Sequence, residues 1–208
     1  MTVPTTAYYG IARPGLNHID LMMDTFIANA SPEDLRAIVR GTLAAGTSGV
    51  STTLTATARA RLLQTKAVVP PAPEELFTIR PEDGIKLPTP ELAKVLSRIR
   101  TLYGAGLGFA SLRLLAVVVR GSRGVLWDDG SHLEELLASI DTDISQAVQS
   151  SREELDGGRV GDLAKARGAV DELRGAVEEC RLTAESAESG NYGYSFEQGR
   201  VALEFWKI

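Results

Sequence analysis

Two histidines, His18 and His132, and one cysteine, Cys180, are the whole stock of imidazole and thiol in 208 residues. A structural zinc site needs four ligands and a catalytic one three, drawn mainly from Cys and His, and a single cysteine closes no internal disulfide. His18-Ile19-Asp20 has the spacing of a ligand pair. On a helix, however, positions two apart point in different directions, so His18 reads as a surface residue near a helix start. Asp128-Asp129 beside Trp127 could attract a cation, but a turn into Gly130 followed by a helix cap at Ser131 accounts for the same residues. No metal and no cofactor is expected.

Nucleophilic catalysis fares no better. Serines are plentiful, yet neither histidine stands near a nucleophile motif such as Gly-x-Ser-x-Gly, and no triad is assigned. Cys180 falls on an apolar helical repeat, where a thiol behaves as a small inert hydrophobe. Gly104-Ala105-Gly106-Leu107-Gly108 invites comparison with phosphate-cradling loops. Those loops follow a strand and carry Gly-Lys-Ser/Thr, whereas here a helical pattern precedes, so the glycines read as a tight turn between helices.

The elements that must position any site are helical. Ile19, Met22, Phe26, Ile27 and Ala30 recur at three- and four-residue spacing and predict a helix over 17–29. Ser31-Pro32-Glu33-Asp34 opens a second, with Ser31 as cap, proline in the first turn and carboxylates at the positive end of the dipole. Its stripe is Leu35, Ile38, Val39 and Leu43, and Gly46 stops it. Val50, Leu54, Ala58 and Leu62 suggest a third helix within 47–66. Residues 1–16 show no period and read as an arm, with Tyr8 and Tyr9 available to pack back.

Five of the nine prolines, Pro70, Pro71, Pro73, Pro81 and Pro88, fall between Val68 and Pro88 and mark a linker. Beyond it Thr89-Pro90-Glu91 starts a helix ending near Gly104, and a second over about 107–119 is apolar around most of its circumference, as befits a central core helix. After a loop anchored by Trp127, Ser131 with Glu134 matches a capping box, and the stripe from Leu133 through Ile144 continues to Leu155. Asp156-Gly157-Gly158 breaks the helix, and Leu163, Val170, Val177 and Ala184 then hold a seven-residue repeat. Residues 195–208 fit a helix, with Ser195 and Gln198 as a capping box, although Val201, Leu203 and Phe205 also alternate as a strand would.

The expected fold is therefore all-α: an N-terminal three-helix layer (1–66), a proline-rich linker (67–88) and a C-terminal up-down helical bundle (89–208) built on a long antiparallel helical hairpin. The four C-terminal helices run about 15, 13, 25 and 30 residues, so at about 1.5 Å per residue the last two overhang by roughly 15 Å. The N-terminal layer, the C-terminal segment or a second copy must cover the excess. Residues 131–208 carry eight basic and sixteen acidic side chains, against six and four in 1–66. Glu134, Glu135, Glu153, Glu154, Glu178 and Glu179 are expected on a solvated face that repels nucleic acid and acidic lipid.

No basic and apolar leader opens the chain, and Leu102–Val119, interrupted by Ser111 and Arg113, reads as a core helix rather than a membrane span. The expectation is a cytoplasmic or nuclear protein, not bound to membranes. Long amphipathic helices without a catalytic constellation point to a non-enzymatic interaction or scaffold module contacting a protein partner or a second copy of itself. The expected contact is the hairpin tip, with Val148, Leu155, Val160 and Leu163. An alternative is a small-ligand binder or enzyme with a pocket between helical layers using His18, Tyr103 and Asp128. A third is a helix-turn-helix-like DNA-binding protein using residues 1–66 with Arg59 and Arg61, although its second helix is Ser/Thr-rich and a balance of +2 is small.

Overall fold

A computed structural model describes residues 18–82, 84–186 and 194–208. The expected arm at 1–16 lies outside them. The chain is mostly helical and divides into two compact units, one ending at Thr52 and the other running from Thr53 to Ile208.

The first unit holds α1 (His18–Asn29), α2 (Pro32–Ala44) and the start of α3 (Val50–Gln64). Ser31 caps α2 as its sequence requires: its hydroxyl oxygen accepts the Asp34 N–H at 3.0 Å, with Pro32 in the first turn. Gly46 closes the end with a left-handed φ of 65°, a conformation that suits glycine. The helices form where periodicity places them, yet none of residues 22–52 is buried.

The second unit continues along α3 into the proline-rich stretch, which packs on the bundle. A 3₁₀ turn at Pro73–Glu75 leads into a two-stranded antiparallel hairpin, β1 (Phe77–Ile79) and β2 (Lys86–Pro88), pairing Phe77 with Pro88. Leu76 and Phe77 are buried in the core, and Arg98 donates to the Val69 carbonyl at 2.9 Å.

α4 (Pro90–Gly104), α5 (Gly108–Ser122), α6 (His132–Asp156) and α7 (Leu163–Ser186) follow. α5 is the central helix that its apolar circumference implies: Leu112, Leu114, Leu115, Val118 and Val119 have no exposed surface, and it packs against α4, α6 and α7. Its neighbours alternate in direction. Gly108 at the start of α5 meets Ser151 late in α6, so those two run antiparallel. Arg113 and Arg120 of α5 donate to the carbonyls of Lys165 and Glu172 of α7 at 3.2 and 3.3 Å. Seven residues of advance on one helix match seven on the other, so α5 and α7 run parallel.

The C-terminal segment is helical. α8 (Glu197–Glu204) packs on both α6 and α7 and buries Leu203, with Phe196 and Trp206 buried at its two ends. It meets α6 between Asp141 and Arg152, over the same length that receives Arg100 and Tyr103 of α4. The expected Ser195 cap is replaced by one from another helix. The Asp141 carboxylate of α6 accepts the N–H groups of Gln198 and Gly199 at 3.1 and 2.7 Å.

Candidate partner-binding surfaces

The expected hairpin-tip contact is partly consumed by the core. Val148 is 1% exposed, so it is an interior residue and not a contact. Val148 lies three residues before Ser151 of α6, which meets Gly108 at the start of α5. Leu155 and Val160 are half-buried against the core, and Leu163 alone of the four stands free at 50% exposure.

Glu154 is likewise not on the solvated face. It is buried and holds three elements together: one carboxylate oxygen pairs with Arg59 of α3 at 3.1 Å, the other accepts the Phe109 N–H at 3.3 Å. Arg59 also donates to the Gly106 carbonyl. The positive end of α5 is thereby met by a carboxylate from α6, which an arginine neutralises in turn. Asp143, also buried, takes the Arg100 guanidinium (2.8 Å) and the Tyr103 hydroxyl (2.9 Å) of α4. Burial and the Asp143 bond push the Tyr103 hydroxyl up to about 12. Three buried acids of α6, Asp141, Asp143 and Glu154, thus each serve another helix. The signal in the sequence is register: Asp141 is four past Leu137 and Glu154 three past Ser151, both on the inner stripe.

Of the residues named for a small-ligand pocket, Tyr103 and Asp128 do not share one environment. Tyr103 directs its hydroxyl to Asp143, whereas Asp128 is exposed in the loop before α6, its carbonyl accepting the Ser131 N–H. His18 opens α1, and its side chain lies outside the described part. Among the described residues no group of three or more His, Cys, Asp or Glu is placed to hold a metal. Cys180 is buried, its thiol directed at the Val119 carbonyl at 3.2 Å, and burial pushes it up to about 11. Arg59, one of two basic residues that a DNA-reading second helix would offer, is engaged with Glu154. Among the described residues no helix is long and apolar enough to cross a membrane.

Two surfaces among the described residues combine exposed apolar side chains with unpaired charge. At the tip, an open groove of about 310 Å³ is floored by Leu63, Val68, Phe109 and Val160, with Arg113, Arg159 and Lys165 at its edge. On the first unit, α1 and α2 expose most of the described part of their apolar stripes: Met22, Phe26 and Ile27, then Ile38, Val39 and Leu43, each between 38% and 58% exposed. Comparison with protein families, with curated proteins and with solved structures finds no match for this chain.

Proposed function

We propose that this protein is a non-enzymatic interaction module whose N-terminal helices bind a second copy of the chain. The uncovered stripe of α1 and α2 carries the reading. Isolated helices shorter than about 12–15 residues are marginal in water even when alanine-rich. α1 has 12 residues and α2 has 13, and no residue of α2 is buried. Helices of that length gain their stability by burying an apolar face, so the face of α2 is made to be covered.

The charges of α2 favour a copy of itself as the cover. Asp34 and Glu33, the latter paired with Arg36 at 2.9 Å across the exposed surface, occupy its first turn and Arg40 its third, where among the described residues Arg40 meets no carboxylate. Two such helices laid antiparallel place the acidic end of each beside the Arg40 of the other, and a two-fold contact of this kind closes without open-ended growth. The apolar positions Leu35, Ile38, Val39 and Leu43 form the seam.

Light scattering across a concentration series tests this reading. Wild type is expected at the mass of a dimer and Ile38→Glu/Leu43→Glu at that of a monomer, with unchanged circular dichroism from the bundle. A wild type monomeric throughout overturns self-association.

A further inference from the structure

We propose that the groove at the hairpin tip is a second docking site, and that its occupant is an acidic peptide segment of another protein carrying one or two large apolar side chains. The groove lies wholly within the Thr53–Ile208 unit, so this inference goes beyond the α1–α2 reading, and either can fail alone.

The charge of the groove identifies the occupant. Its lining includes Arg113, Arg159 and Lys165 with Glu154 and Asp162. Lys165 pairs with Asp162 at 3.4 Å, and Glu154 with Arg59. That leaves two guanidinium groups. Arg113 donates to the Lys165 carbonyl and Arg159 to the Glu153 carbonyl at 2.8 Å, and among the described residues neither meets a carboxylate. A positive edge thus stands beside the hairpin, whose residues 131–208 supply Arg159 although acidic side chains outnumber basic ones there sixteen to eight; Arg113 comes from α5. Arginine's fork of donors is suited to carboxylate.

Size and shape set the rest. A volume of about 310 Å³ stands at the lower end of small-ligand sites, which enclose most of their ligand's surface. This groove is open to solvent along its length. One or two leucine- or phenylalanine-sized side chains fill its floor while the main chain that carries them stays outside, with flanking carboxylates over Arg113 and Arg159. Leu163, half-exposed at the start of α7, extends the apolar surface beside it.

The test is selection of a phage-displayed random peptide library on the full-length folded chain. Enriched sequences are then resynthesised and titrated by fluorescence anisotropy against wild type and Arg113→Gln/Arg159→Gln, whose melting curve checks the fold. The expected consensus places aspartate or glutamate beside leucine, phenylalanine, methionine or tryptophan. Kd is expected to rise at least tenfold in the double variant and to rise with salt in wild type. No enrichment, a consensus without acids, or equal affinity for both proteins overturns the proposal. Dodecanoate is titrated alongside: Arg113-dependent binding of that amphiphile without peptide enrichment overturns it in favour of a lipid-like ligand.

Discussion

The Glu154 carboxylate of α6 accepts the main-chain N–H of Phe109 at the first turn of α5, 3.3 Å away. A buried acid thus fixes the end of the central helix, and Arg59 makes its charge tolerable. Removing one partner of a buried pair leaves the other uncompensated, at a cost of about 3–5 kcal/mol. Arg59 retains 18% exposure, which puts Arg59→Ala at the low end of that range. Glu154→Gln keeps an acceptor for Phe109 and should cost less. Urea unfolding of both variants checks the order.

Asp141 makes the same kind of bond to α8, and among the described residues it forms no ion pair. Burial raises its carboxyl above the ordinary 3.8, against the lowering effect of the Gly199 and Gln198 N–H groups. The folded chain then holds this proton to higher pH than the unfolded chain. As pH rises from 3.8 through the raised value, the unfolded state ionises first and the folded state loses stability relative to it. Asp141→Asn keeps an acceptor and removes the ionisation. Its stability relative to wild type should therefore improve as pH goes from acid to neutral, measured as urea midpoints across that range. A difference that stays constant or shrinks contradicts the assignment.

Close approach of α5 and α6 depends on Gly108. A Cβ there would stand 2.6 Å from the Ser151 Cα, which is backbone and cannot swing aside. Gly108→Ala should destabilise by about 1–3 kcal/mol through overpacking. Gly168 in α7 has nothing within 4 Å of such a Cβ, so Gly168→Ala should stabilise by up to about 1 kcal/mol through helix propensity alone. Thermal melts of the pair read opposite signs.

The tip residues separate in the same way. Val148→Glu buries an unpaired charge in the core and should abolish cooperative folding, whereas Leu163→Glu changes a half-exposed position and should stay within about 0.5 kcal/mol of wild type. Chemical denaturation followed by circular dichroism distinguishes them.

Local signals carried most of the helices. Ser31, Ser131, the flanking prolines and the three-and-four spacing of Leu92 to Leu102 are read within one or two turns, and α2, α4 and α6 begin where they indicate. The β1–β2 hairpin was not legible, because three-residue strands amid Pro81 and Pro88 carry no periodicity and owe their place to Leu76 and Phe77 entering the core. The partners of Asp141, Asp143 and Glu154 lie 40 or more residues away, so Glu154 was expected on the solvated face and the capping and tethering roles of Asp141 and Asp143 left no local signal. α7 is described from Leu163 to Ser186, and the remainder of its expected length lies outside the described residues. Of the candidate contact, the tip was legible as a place, but its cationic edge at Arg113 and Arg159 arises from two segments brought together by the parallel packing of α5 on α7.

Amide hydrogen exchange of α2 at low and high protein concentration is the decisive measurement. If its apolar stripe is covered by a second copy, protection of Leu35–Leu43 rises with concentration while that of α5 stays constant. Protection of α2 that does not change with concentration contradicts the proposed function.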